Sequence, residues 1–174
     1  QVAKTPLSAI PYHFGGKSEL YMAAAQMIAE YARERFGEVI HILDAPASGS
    51  ESQAFEKALL HLLHIILSNA EPHSWTSFVA RCAYENDEAF SLIHKQAIEP
   101  MLQRLVEAVT ANSSGDLGIA AARLRIKAVV TAIFSFRFLR GVMVRGMDWE
   151  NLQDDGAAQL EKMISDLCRS SFLP

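Results

Sequence analysis

Histidines, cysteines and clustered acids are the side chains here whose chemistry would show most plainly. His61 and His64 are three residues apart on a predicted helix, a spacing that can bring two imidazoles to one ion. They share their side of that helix with Lys57 and Ser68, opposite the apolar stripe, so the spacing describes a solvated face and no metal site is assigned. Cys82 and Cys168 lie far apart and in no metal spacing; they read as small buried residues of a reducing compartment. Glu85, Asp87 and Glu88 gather at a predicted helix start, where the positive helix end favours acids anyway. There is no Gly-x-Ser-x-Gly, no phosphate-cradling glycine loop and no paired-cysteine motif. No catalytic residue and no cofactor are therefore assigned, and the chain is not expected to be an enzyme.

The segment with the most specific chemistry is AKTPLSAIPYHFGGKSEL, from Ala3 to Leu20. Thr5-Pro6 reads as a helix start, with Thr as cap and Pro in the first turn. Pro11 disfavours helix at Ile10, so this helix is short. Its small and polar side chains Thr5, Ser8 and Ala9 suit a major groove, and Leu7 offers apolar surface beside them. Tyr12 and His13 offer donors near a phosphate backbone. After the turn at Phe14-Gly15-Gly16, Lys17 opens the next helix, where its charge and the free N–H groups both suit a phosphate. The seven candidate DNA-binding residues are Thr5, Leu7, Ser8, Ala9, Tyr12, His13 and Lys17.

The elements that must position these residues are helical throughout. Apolar residues recur at helical spacing, and strand-like alternation between hairpin turns is absent. A long helix is predicted from Lys17 to about Leu43, with Leu20, Ala24, Met27, Tyr31, Phe36, Val39 and Leu43 as its apolar stripe and Gln26, Glu30, Arg33, Glu34 and His41 facing away. Further helices are predicted from Glu51 to about Ser68, from Trp75 to Ala83 with Ser74 as cap, and from Asn86 or Asp87 to about Asn112 with a kink at Pro100. A single helix is predicted over Ile119–Val144, and a last one from Leu152 or Asp155 to about Ser171. Ala128–Val144 is slightly short for a membrane span and carries Arg137 and Arg140, so it reads as a helix buried in protein.

The net charge of −4 and the 21% charged residues in 174 describe a soluble globular chain, since a surface that coats nucleic acid throughout is basic. No signal segment is visible and a cytoplasmic location is expected. The chain begins at Gln1 rather than Met, so a preceding stretch is expected.

Tyr12-His13-Phe14-Gly15-Gly16-Lys17-Ser18-Glu19-Leu20 resembles the end of the DNA-reading headpiece of the TetR family of transcriptional regulators. Gly16 replaces the usual Ser cap, and Pro11 departs from the family pattern. The resemblance implies a TetR-like all-α fold: part of a helix-turn-helix headpiece with its connecting helix over residues 1–43, and a ligand-binding and dimerisation domain over 44–174. More loosely, Trp75–Arg81, Phe90, His94 and Ile98-Glu99-Pro100 resemble regulators of drug efflux and cephalosporin response. The family further implies a homodimeric repressor on palindromic double-stranded operator DNA, with the last two helices of each subunit forming a four-helix bundle.

For that dimer interface the candidates are Ile133, Phe136, Arg140, Met143, Leu160, Met163, Ile164 and Leu167. For a pocket holding a small apolar or amphipathic effector they are Phe55, Leu59, Trp75, Phe78, Arg81, Phe90, Met101, Phe134 and Arg137; each also fits a plain core or structural ion-pair role. Two other readings stand beside this one: an all-helical metal- or cofactor-binding protein, and a helical scaffold for another protein.

Overall fold

The computed structural model describes residues 16–45, 51–68, 70–112 and 118–171, and every regular element among them is helical. Helix α1 spans Lys17–Asp44, α2 Glu51–Leu67, α3 His73–Glu85 and α4 Glu88–Ile93. A π-helical turn over His94–Ile98 leads from α4 into α5, Glu99–Asn112. Then come α6 (Ile119–Phe138), α7 (Arg140–Gly146), a second π turn (Leu152–Gly156) and α8 (Ala157–Ser171).

Local chemistry accounts for most of the boundaries. Asp87 is extended and accepts a hydrogen bond from the Phe90 amide at 2.9 Å, which starts α4 as an N-cap should. Asn86 takes the left-handed conformation (φ 51°) that ends α3. Pro100 brings no N–H to the carbonyl of Gln96 and its ring crowds that carbonyl. The chain widens just upstream, where the Glu99 amide bonds to the His94 carbonyl, five residues back. The kink expected at Pro100 therefore takes the form of a π turn.

Three expectations are corrected. Helix α3 starts at His73 behind Pro72, with no side-chain cap from Ser74. The helix read over Ile119–Val144 breaks at Leu139 (φ −111°, ψ 25°) and restarts as α7. Ser135 Oγ turns back onto the Ala132 carbonyl at 2.6 Å, and Gly141 follows; both weaken a helix at this point. On the first half of α1 the buried stripe is Ala25, Ile28 and Ala29, while Met27 is half exposed.

Two apolar clusters hold the body together. The larger joins the second half of α1 to α2, α5, α6 and α8, with Phe55, Leu59, Leu62, Leu63, Met101 and Ile133 fully enclosed. The smaller joins the first half of α1 to α3 and α4 through Ala25, Ile28, Cys82, Ala89 and Ile93. Helix α1 thus spans both. Each fully buried Leu, Ile or Phe contributes about 1.5–3 kcal/mol. Burial also pushes the Cys82 thiol up to about 11 and the Cys168 thiol up to about 12, so both are protonated at neutral pH and are poor nucleophiles.

The second π turn is closed by Trp149, whose ring lies on Gly156. A methyl group on Gly156 would sit 2.5 Å from that ring. Gly156→Ala is therefore expected to destabilise the fold by about 1–3 kcal/mol. Urea unfolding followed by tryptophan fluorescence checks this; an unchanged midpoint would show that the ring moves aside freely.

Asp87 also accepts a hydrogen bond from the Tyr21 hydroxyl at 2.7 Å, tying α4 to the start of α1. That bond first, and the amide bonds after it, hold the Asp87 carboxyl below the usual carboxylate range. A carboxyl depressed in the folded state stabilises above its unfolded value near pH 4, and the contribution fades as pH falls through the lower folded value. Asp87→Asn is expected to lower stability at pH 7, and the gap from the parent should close as the pH is taken below about 3. A gap of constant size across that range would contradict the assignment.

Candidate ligand cavity

The two apolar clusters do not meet completely. Between them lies a cavity of about 550 Å³, within the range that holds small molecules. Helix α1 gives it Ile28, Tyr31, Ala32, Arg35 and Phe36, a stripe at i, i+3, i+4, i+7 and i+8. Trp75, Thr76, Val79 and Ala83 come from α3. Phe90, Ile93, His94, Ile98 and Leu102 come from α4, the π turn and α5. Helix α6 supplies Lys127, Val130, Thr131, Phe134 and Arg137, and the exposed Phe138 and Leu139 lie where it ends. The walls are mostly apolar and rich in rings, with Phe36 and Phe134 5.8 Å apart and Tyr31 edge-on to Trp75 at 5.3 Å.

One polar cluster forms part of the wall. Arg137 donates from Nε to the Ile66 carbonyl at 2.9 Å, and from Nη2 to the carbonyls of Ile65 at 3.1 Å and Ser68 at 2.6 Å. These are carbonyls at the end of α2, which no later helical amide satisfies. Gln153 donates to the Leu67 carbonyl at 2.8 Å and accepts from Arg140. Nη1 of Arg137 pairs with Glu71, whose side chain is only 8% exposed. Glu71 also accepts from the Tyr31 hydroxyl at 3.1 Å. Burial first, and then Glu71, raise the Tyr31 pKa above its ordinary value, so the phenol stays a donor.

Of the nine pocket candidates, Trp75, Phe90, Phe134 and Arg137 line this cavity. Phe55, Leu59 and Met101 do not; they are fully enclosed in the larger core. Phe78 packs on Tyr21 instead, with ring centres 4.7 Å apart. Arg81 is exposed, pairs with Glu85 at 3.7 Å and lies over the Tyr21 ring. Tyr31, Arg35, Glu71 and Lys127 were missed. Tyr31 reads in the sequence only as part of the apolar stripe of α1, and the signal that could have found Arg35 is a charge within the stripe from Ile28 to Phe36.

Four of the dimer candidates, Ile133, Phe136, Leu160 and Ile164, are buried in the chain's own core. Arg140 is engaged with Gln153, within the same chain. Met143 and Leu167 are half-buried, and Met163 is 44% exposed. The apolar surface that α6 and α7 leave uncovered includes Ile119, Leu124, Leu139 and Val142, with the exposed Ala121, Ala128 and Ala132 along α6.

Lys17 is exposed at the first position of α1; Thr5, Leu7, Ser8, Ala9, Tyr12 and His13 lie outside the described residues. His61 bonds Glu38 at 2.8 Å and His64 bonds Glu161 at 2.7 Å, so the two imidazoles serve different helices. No group of three or more His, Cys, Asp or Glu among the described residues could hold a metal ion. No helix among them is long and apolar enough to cross a membrane.

What these helices build is a mostly apolar cavity walled by α1, α3, α6 and the segment from α4 into α5. The chain belongs to the family described as "HTH-type transcriptional dual regulator CecR, C-terminal domain", which matches residues 52–173. It is also similar to the HTH-type transcriptional dual regulator CecR of Shigella flexneri, at 22% identity over 165 residues, covering 91% of this chain and 74% of that protein. The relationship places the chain among transcriptional regulators.

Proposed function

We propose that this chain is the ligand-sensing and dimerising body of a TetR-type repressor, with the last part of its DNA-reading headpiece at residues 1–43. In this reading it is a cytoplasmic, non-enzymatic protein, active as a homodimer on a palindromic operator. The observation that carries the proposal is the position of the cavity. It lies in the seam between the two apolar clusters, and α1, the helix that Lys17 opens next to the DNA-reading segment, crosses that seam.

A small apolar or amphipathic molecule in the seam touches α1, α3, the π turn and α6 together. Gln96 of the π turn and Gln26 of α1 exchange hydrogen bonds at 3.0 and 3.3 Å, so a displaced turn is tied to α1 directly. A ligand that fits one spacing of the two clusters better than another shifts the population toward it, and the headpieces of the dimer move with α1. The bare apolar stripe on α6 and α7 supports pairing of two subunits. Membership in a family of transcriptional regulators supports operator DNA as the partner.

Footprinting of the full-length protein on the DNA flanking its own gene tests the proposal. Two protected half-sites are expected, centred about 10 base pairs or a multiple of that apart. Protection that weakens steeply with salt would agree with phosphate contacts. Failure to protect any site there, at low salt and micromolar protein, would overturn it.

A further inference from the structure

We infer that the cavity takes an amphipathic molecule with an apolar, ring-bearing body and one ionised acidic group, a carboxylate or sulfonate, held by Arg35 and Lys127. This rests on the ligand-sensing reading above and narrows it to a charge class. Among the described residues Glu71 is the only carboxylate in the lining, and Arg137 and Tyr31 already occupy it. A cationic ligand would therefore meet two cations and no free acid.

Arg35 pairs through Nη1 with Glu38 at 3.1 Å, but Glu38 is not part of the lining and is shared with His61. The Arg35 Nε is buried and has no acceptor among the described residues. A guanidinium donor cannot be deprotonated away, so a buried Nε without an acceptor is a standing cost; the side chain is about a third exposed and relieves that cost by turning toward an oxygen that enters the cavity. Lys127 is exposed on the α6 side of the lining, one turn before Thr131 on the same face, and no counter-ion for it is found among the described residues. A guest without an acceptor would leave the Arg35 Nε unanswered and would take water from Lys127 without replacing it. An anion with a hydrophobic body answers both while its rings meet Trp75, Phe90 and Phe134.

Two dyes that differ only by a sulfonate test this on the full-length protein: 1-anilinonaphthalene-8-sulfonate and the neutral N-phenyl-1-naphthylamine, titrated by fluorescence. Arg35→Met is expected to weaken the sulfonate dye about tenfold, as loss of a charged hydrogen bond does. Lys127→Gln should weaken it about threefold, the smaller figure reflecting an exposed ammonium. Neither should move the neutral dye more than about twofold. Arg35→Lys keeps the charge without Nε and should fall between parent and Arg35→Met; circular dichroism confirms that each variant is folded. Thr131→Trp, at the exposed edge of the lining, should weaken both dyes. Equal effects of the charge variants on both dyes, or none on either, would overturn the anion assignment and leave the cavity as the ligand site. Unchanged binding of both dyes to Thr131→Trp would place them elsewhere and overturn the ligand-sensing reading as well.

Discussion

Replacing Arg137 with Met is expected to destabilise the folded chain by about 3–5 kcal/mol, the cost of removing one partner from a buried ion pair. The size follows from what the guanidinium holds. It meets three backbone carbonyls at the end of α2 and the nearly buried carboxylate of Glu71. Without it, Glu71 keeps only the Tyr31 hydroxyl among the described residues, and the carbonyls of Ile66 and Ser68 lose the donor that α6 brings them. For a domain of this size the melting temperature should drop by about 10 °C. Arg137→Lys should recover only part, because an ammonium cannot span this fork of acceptors. Pairing Arg137→Met with Glu71→Gln should restore some of the loss by removing the stranded charge. Thermal unfolding of the four proteins decides it. A double variant no better than the single one would show that the carbonyl contacts, not the ion pair, dominate.

Ala128→Arg is expected to weaken self-association by about a hundredfold or more, since an unpaired charge pressed into an apolar contact costs several kcal/mol. Ala128 lies amid the uncovered stripe of α6, between Leu124 and Ala132, and its small side chain lets another helix approach closely. Sedimentation should show the parent as a dimer and the variant as a monomer with the same helix content. A parent that sediments as a monomer at micromolar concentration would remove the dimer from the proposed function. A variant that remains a dimer would move the interface to another face.

Much of the helix layout was legible before the structure, because its signals are local. Asp87 announces a helix start by chemistry that needs no distant partner, and Pro100 announces a distortion for the same reason. The limits of α1 and α2 fell within a residue or two of expectation. The face of α1 was less legible: Ala23-Ala24-Ala25 fits several helical registers equally well, and only packing against α3 and α4 selects Ala25, Ile28 and Ala29. Helix α6 is apolar nearly all round, so its sequence cannot say which side meets its own core. Ile133 and Phe136 turned inward and Leu124 outward.

The cavity was the least legible feature. It is the space that two clusters fail to fill, and no single segment encodes it. Large aromatics were therefore a poor guide: Phe55 sits deep in the core while Phe134 lines the cavity. A better guide would have been polarity out of place. Arg35 in an apolar stripe and Arg137 near the end of an apolar helix both lie on the cavity wall.

In the proposed function the cavity and the DNA-reading end share one conformational equilibrium. Linkage then requires that a cavity ligand and operator DNA alter each other's affinity by the same factor. The direct measurement is the affinity of the full-length dimer for 1-anilinonaphthalene-8-sulfonate, taken with and without saturating operator. A difference of about fivefold or more is expected, the usual lower bound for coupled sites. Equal affinities in the free and DNA-bound protein would contradict the claim.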